Sequence, residues 1–333
     1  MASKVVFLGM GGTIAGRAAD ASDNVGYRAG EVAVDELLRA VAGLPALLAG
    51  HELASEQVAQ LDSKDMAFDD MARLAARVQA HLLQPQVAAV VVTHGTDTLE
   101  ETAFFLARVL PQALLRTKPV VMTCAMRPAT AMAPDGPANL LDAVALALEP
   151  SARGVLVSCA GSIHSALHVQ KVHPYRLDAF SSGEAGPLAV MEEGRVRWLA
   201  LPESALLPVD KPDKAWHLDR LGPEWPRVEI VLNHAHTGGA LVRALCRTPQ
   251  PEDAPVQGLV VAGTGNGTLN HALEAALLEA QASGVRVVRV SRCALGAVVV
   301  AREATGSIPA MPYSAVKARI ALVLDLLAAQ ATA

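Results

Sequence analysis

The stretch "VVFLGMGGTIAGRAAD", residues 5 to 20, sets the hydroxyl of Thr13 among Gly9, Gly11, Gly12 and Gly16, directly after an apolar run. Glycines at such a place let the backbone turn sharply and let a ligand come close. A second segment, "THGTDTLEETAFFL", puts Thr96 and Asp97 at the start of a helical pattern, with Thr98 and Glu101 spaced as a capping box. Free N–H groups at a helix start can hold a carboxylate or stabilise an oxyanion, and Asp97 can accept bonds from a ligand's ammonium. A threonine hydroxyl so placed can hydrogen-bond a ligand or, with a base beside it, act as a nucleophile. A hydroxyl is a weak nucleophile at neutral pH and needs a neighbouring base, worth about 10² to 10⁴ in rate. Taken alone, Thr96 to Thr98 also read as ordinary helix caps.

Other chemistries fit less well. A dinucleotide fingerprint after the first strand needs G-x-G-x-x-G, and Ile14 stands where the last glycine would be, counted from Gly9; no G-x-x-x-x-G-K-[ST] run is present. His164, His168 and His173 include a pair four residues apart, but they lack an H-E-x-x-H frame or a nearby cysteine pair and read as loop histidines, so no metal is expected. Cys124, Cys159, Cys246 and Cys293 are far apart in sequence, without C-x-x-C spacing, and read as reduced, packed thiols. The net charge of -5 carries no basic run, and aromatics are only 3%, so nucleic acid is not an expected partner.

The elements that must position these residues follow a strand-helix alternation. Val5 to Leu8, Val87 to Val92, Val120 to Thr123 and Gly154 to Cys159 are apolar runs, each followed by a small-residue turn and then an alanine- and leucine-rich stretch. Strands covered on both faces read this way, which predicts an α/β domain with a parallel sheet. Ligands in such sheets bind at the carboxyl ends of the strands, where Thr13 and Thr96 fall. Residues 201 to 227 hold five prolines and two of the three tryptophans and read as a linker. Beyond it the alternation resumes with Val228 to Leu232, Gly258 to Ala262 and Val285 to Val290, then an amphipathic pattern over Ala315 to Leu327. The expected organisation is a larger N-terminal α/β catalytic domain over 1–200, a linker over 201–227 and a smaller C-terminal α/β domain over 228–333, in keeping with a chain of 333 residues.

The strings "GGTIAG", "HGTDTLEETAFFL", "CAMRPATAMAPDGPANLLDAV" and "VRVSRCALGAVVVAREATG", in this order, resemble the bacterial-type L-asparaginase family over nearly the whole chain. That resemblance implies a threonine nucleophile, Thr13, assisted by Tyr27, and a companion group of Thr96, Asp97 and Lys171. It implies that the substrate's carboxylate and amino group are held by Ser63, Lys64, Asp97 and Glu303, and that the backbone N–H groups of Thr96 and Ala125 receive the oxyanion. Asn266, in "GTGNGT", matches an asparagine supplied by a neighbouring subunit, and Glu303 arrives across the same interface. An intimate dimer, usually paired into a tetramer, is therefore implied, with no cofactor. For Lys171 two directions stay open here, since burial lowers an ammonium's pKa and Asp97 raises it.

Two positions depart from the family pattern. Met10 replaces a common threonine behind the nucleophile loop, leaving the Thr13 hydroxyl unaffected. Lys64 stands where a neutral or acidic side chain is usual beside the substrate's ammonium, and two like charges about 4 Å apart repel by up to about 4 kcal/mol at intermediate dielectric. The expectation is that Lys64 points instead at Glu303 or at the substrate's carboxylate. The function expected is hydrolysis of L-asparagine to L-aspartate and ammonia, with glutamine as a weaker substrate. The rivals are an amidase acting on another carboxamide and a non-catalytic small-ligand binding module. A soluble, cytoplasmic protein is expected, because no apolar run approaches the roughly 20 residues of a membrane span and Lys4 leads directly into the first strand.

Overall fold

The structure, a computed structural model, describes residues 3–48, 50–207, 216, 218, 221–222, 224–247, 254–300 and 308–330. Residue contacts divide the chain into two compact units, Met1–Gly222 and Pro223–Ala333. This division falls inside the proline-rich segment 201–227.

The first unit opens with β1 (Ser3–Gly11), β2 (Arg17–Ala18), β3 (Tyr27–Arg28), α1 (Val34–Ala40), α2 (Leu44–Leu47) and β4 (His51–Leu61). It continues with α3 (Phe68–Leu82), β5 (Val87–Thr93), α4 (Leu99–Val109), α5 (Gln112–Leu115), β6 (Val120–Thr123), α6 (Gly136–Ala147) and β7 (Val155–Cys159). The short strands β8 (Ser162–Ser165), β9 (Gln170–Lys171), β10 (Phe180–Ser181), β11 (Ala189–Glu192) and β12 (Arg195–Trp198) complete it. Among the described residues its main sheet has eight strands in the order β12-β11-β8-β7-β6-β5-β1-β4.

β4, β1, β5, β6 and β7 run parallel, which the continuous apolar runs of β1, β5, β6 and β7 predict. Val5, Phe7, Ala89, Val91, Val121 and Leu156 bury one face against α1, α2 and α6. The alternate residues Val6, Leu8, Val90 and Val92 turn to the other face, where α3 and α4 pack. α4 buries Leu99, Phe104, Phe105 and Leu106 completely, each worth about 1.5–3 kcal/mol of transfer free energy. That packing fixes the helix whose start carries Thr96 and Asp97.

β8, β11 and β12 are antiparallel additions to the parallel sheet that the sequence predicts. The reason is local. Ala160 and Gly161 (φ 49° and 74°) and Glu193 and Gly194 (φ 48° and 72°) form two-residue turns of left-handed conformation, which reverse the chain without a crossover helix. β4 also escapes an apolar-run reading. It is an edge strand whose "HELASEQVAQL" alternates half-buried with exposed positions, and its Glu56 is gripped by Arg77 (2.6 Å) and His81 (2.9 Å) of α3.

The second unit holds β13 (Arg227–Leu232), α7 (Ala240–Leu245), β14 (Val256–Gly263), α8 (His271–Ala282), β15 (Arg286–Ser291) and α9 (Ala315–Gln330). Its parallel sheet runs β13-β14-β15. Val231, Leu259 and Val261 pack against Val242 of α7 and Leu273 and Leu277 of α8. α9 covers the opposite face so closely that a Cβ on Gly258 would lie 2.9 Å from Leu322. No helix of the described residues is long and apolar enough to cross a membrane.

Candidate active site

Four neighbouring strands, β4, β1, β5 and β6, end side by side, and the residue groups singled out in the first unit's loops follow those ends. After β1 the chain passes through Gly11 (φ 91°) and Gly12 (φ 81°) into a short 3-10 turn, Thr13–Ala15. A Cβ on Gly12 would sit 2.2 Å from the Gly95 Cα, so only glycine lets the Thr13 loop lie against the Thr96 loop. A Cβ on Gly95 would in turn meet the Ser63 Oγ at 2.4 Å, which interlocks the loops after β1, β5 and β4.

Thr13 is 7% exposed, and its Oγ1 lies 2.6 Å from the Tyr27 hydroxyl. Tyr27 is carried by the β2–β3 ribbon, which is tied to the segment after β6: Ala18 N–H donates to the Thr130 hydroxyl (2.8 Å), Ala129 N–H to the Gly16 carbonyl and Met132 N–H to the Ala21 carbonyl. Burial pushes the Tyr27 phenol above its ordinary value of 10.0; the bond to Thr13 opposes this, Asp62 and Asp97 add to it, and Lys64 counters them.

The second threonine group is equally compact. Lys171, on β9, donates its ammonium to the Thr96 Oγ1 (2.8 Å) and to an Asp97 carboxylate oxygen (2.6 Å). The Lys171 backbone N–H donates to the Glu100 carboxylate at 3.2 Å. Thr98 stands at the helix start, as its spacing predicts, but makes no side-chain cap bond. Its hydroxyl donates instead to the Ser63 carbonyl (2.8 Å), while Asp97 N–H donates to the Ser63 Oγ (3.2 Å). Tertiary partners outcompete the local capping box, and they bind the loops after β4 and β5 together. His94, one residue before Gly95, is fully buried, its Nδ1 2.7 Å from the Gly95 carbonyl; burial pushes its pKa down to about 4.

Lys64 is held within its own loop. Its ammonium lies 2.6 Å from Asp62 and 3.2 Å from Asp65, whose carboxylates raise its pKa, and the side chain is 60% exposed. The carboxylates of its own loop claim it because they are two residues before it and one after. Ala125 is fully buried at the end of β6. Asn139 of α6 braces that end, its Nδ2 donating to the Cys124 carbonyl (2.9 Å) and its Oδ1 accepting from Ala160 N–H (3.0 Å). Asp135 accepts from the N–H groups of Met126 and Arg127, both at 2.9 Å. Glu100, Asp135 and Asn139 were not legible in the sequence, since nothing in their spacing distinguishes them from ordinary helix-start and helix-face residues.

Cys124 and Cys159 are packed free thiols as expected, whereas Cys293 is exposed, and one histidine reading changes. Cys124 and Cys159, 35 residues apart, face each other with sulfurs 3.5 Å apart, because β6 and β7 are neighbours in register; both are free thiols. His164 is no loop histidine: it is buried on β8, its Nδ1 2.9 Å from the Ser182 hydroxyl. His173 does lie in the hairpin loop, accepting from Tyr175 and Arg176 N–H. In the second unit Asn266 exchanges two bonds with the Val299 backbone, at 2.9 and 2.7 Å. Glu303 lies outside the described residues.

Comparison with known proteins agrees over both units. The family model "Asparaginase, N-terminal" matches residues 4–203, and "Glutaminase/Asparaginase C-terminal domain" matches residues 227–332. A glutaminase-asparaginase of Pseudomonas fluorescens biotype A is 35% identical over 299 residues, covering 89% of this chain and 77% of that protein. L-asparaginase 2 of Escherichia coli (strain K12) is 34% identical over 328 residues, covering 97% and 88%. The solved structure of a probable cytoplasmic L-asparaginase from Campylobacter jejuni superposes with a TM-score of 0.83 at 34% identity, covering 98% of this chain and 95% of that one. With both domain models matched in order and relatives of this similarity along most of its length, the chain belongs to the asparaginase family.

Proposed function

We propose that this protein hydrolyses L-asparagine to L-aspartate and ammonia, with Thr13 as the nucleophile. The observation that carries the reading is the pairing of two buried threonine hydroxyls with titratable partners on adjacent strand ends: Thr13 with Tyr27 at 2.6 Å, and Thr96 with Lys171 at 2.8 Å. Relatives named L-asparaginase and glutaminase-asparaginase support the substrate class, with glutamine as a weaker substrate.

In this reading the Thr13 Oγ attacks the carboxamide carbon, and the developing oxyanion is received by the N–H groups of Thr96 and Ala125. Tyr27, kept neutral by burial, is a relay and not a resting base. It takes the proton of Thr13 as it gives its own to the departing nitrogen. The C–N bond breaks, ammonia leaves and an acyl-threonine remains. Water then attacks the ester carbon, one of its protons returns to Thr13 through the same relay, and aspartate is released. Thr96, Asp97 and Lys171 polarise the amide and hold the substrate from the opposite side, with Ser63 at the α-substituents. The salt bridges of Lys64 to Asp62 and Asp65 offset the charge that would otherwise disfavour an ammonium-bearing substrate. No cofactor enters this scheme.

The chain works, in the same proposal, as a homo-oligomer, an intimate dimer paired into a tetramer, in which Asn266 and Glu303 of one copy complete the site of another. A cytoplasmic setting is proposed from the free cysteines and the similarity to a probable cytoplasmic L-asparaginase, although a relative in Haemophilus influenzae is named periplasmic. Ammonia release from asparagine, glutamine and simple amides, wild type beside Thr13→Ala and Thr13→Ser, tests the function. Asparagine turnover lost in Thr13→Ala and partly kept in Thr13→Ser is expected. Undiminished turnover by Thr13→Ala removes the nucleophile assignment, and turnover of simple amides in preference to asparagine moves the substrate to another carboxamide.

A further inference from the structure

Lys171 sits in an exacting position on a slight support. The β9–β10 ladder that carries it has two residue pairs, Lys171 with Phe180 and Gln170 with Ser181. A hairpin that short does not hold its own geometry in water. Yet the ammonium must reach two partners at 2.8 and 2.6 Å through a side chain with four rotatable bonds. The supports around the hairpin are therefore what set its place. At one end Val169 N–H donates to the Ser165 carbonyl (2.9 Å), and at the other the buried Ser182 hydroxyl meets His164 of β8 (2.9 Å). Arg127 holds the hairpin loop, donating to the Tyr175 carbonyl (3.0 Å) and lying over its ring, and on Lys171 itself the Glu100 carboxylate accepts the backbone N–H at 3.2 Å.

Glu100 belongs to the first turn of α4, the helix that begins directly after Thr96 and Asp97. α4 and the loop that leads into it thus grip the lysine twice, by its main chain through Glu100 and by its ammonium through Thr96 and Asp97. We propose that Glu100 is a positioning residue that sets the distance of the Lys171 ammonium from Thr96, acting as a hydrogen-bond acceptor of a given length and not through its charge. The link from this geometry to turnover rests on the asparaginase reading; the geometric claim stands apart from it.

Reach and charge are separable by two substitutions. Glu100→Gln keeps the length and an acceptor oxygen but loses the charge; Glu100→Asp keeps the charge at the helix start but is one methylene too short. The first readout is the rate at which Lys171 is acetylated by acetic anhydride, followed by peptide mass spectrometry, with melting curves taken alongside. A lysine freed from Thr96 and Asp97 reacts faster, so Glu100→Asp is expected to label several-fold faster than wild type and Glu100→Gln within about twofold. The second readout is asparagine turnover, where a displaced group costs rate more than affinity: kcat in Glu100→Asp is expected to fall about 10- to 100-fold with KM little changed, and Glu100→Gln to keep most of it. Equal labelling in all three proteins, or the reverse order of the two variants, overturns the proposal. Labelling that responds as described in a wild type that releases no ammonia keeps Glu100 in its place and overturns the asparaginase reading instead.

Discussion

Tyr27 illustrates how burial assigns a role to a single side chain. A phenol pushed above its ordinary value of 10.0 is protonated throughout the neutral range, so a relay that needs the neutral phenol operates there and fails only on the alkaline side. The expected profile of kcat/KM for asparagine carries no loss from Tyr27 through the neutral range, and its alkaline fall lies at higher pH than that of a free phenol. Asp62→Asn, which removes a negative charge that raises the phenol, should bring the alkaline fall to lower pH. Tyr27→Phe, which keeps the ring and removes the hydroxyl, is expected to lower kcat by about 10² to 10⁴ with KM little changed. His94 gives a stability prediction of definite sign. Its folded pKa of about 4 lies below the unfolded value of 6.5, so between these values the unfolded chain binds a proton that the folded chain refuses. Stability is unaffected by this residue above pH 6.5 and falls as pH drops toward 4, by up to about 3 kcal/mol. Melting temperature measured across that window should slope less steeply in His94→Gln than in wild type.

At the scale of elements, the site is held by side chains that join strand ends to helices. Asn139 binds the main chain at the ends of β6 and β7, through Cys124 and Ala160. Asn139→Ala leaves a buried carbonyl and an N–H without their partner, a cost of about 2–4 kcal/mol. It also loosens the peptide that leads into Ala125, so denaturation midpoint and asparagine kcat should fall together. Thr123→Ser, beside it, retains the hydroxyl that donates to the Ser158 carbonyl (2.9 Å) and serves as the mild control. Lys118 does comparable work at the far end of the sheet, where its ammonium donates to the Leu82 and Gln84 carbonyls (both 2.7 Å) at and just past the end of α3. Lys118→Met should lower stability by about 1–3 kcal/mol while leaving kinetics at 25 °C unchanged, since those carbonyls lie away from the loops that follow the strands.

At the scale of the whole molecule, the proposed oligomer makes the most direct prediction. Size-exclusion chromatography with light scattering should give a mass four times that of the 34.7 kDa chain, or twice it if only the intimate dimer forms. If Asn266 serves a neighbouring copy, Thr13→Ala and Asn266→Ala chains, each inactive alone, regain activity when mixed and refolded together. With equal amounts, half the dimers are mixed and one site in each of these is intact, so about a quarter of wild-type activity should return. No recovery would place Asn266 in the service of its own chain, consistent with its two bonds to Val299.

The sequence by itself determined the α/β class, the strands β1, β5, β6 and β7, and the place of Thr13 and Thr96 after them, because buried strands are continuous apolar runs and glycine clusters mark sharp turns. Its order of motifs also carried the family. It could not supply the partners of those residues. That Thr98 abandons its capping box for Ser63, that Lys64 is claimed by Asp62 and Asp65, that Cys124 meets Cys159 and that Glu100 grips Lys171 were decided by the tertiary structure. Apart from the Lys64 contacts, which stay within its own loop, each joins separate elements, and the strand order that brings them together has no local signature. Periodicity encodes which face of an element is buried; only the assembled sheet decides what that face, and each turn beside it, will touch.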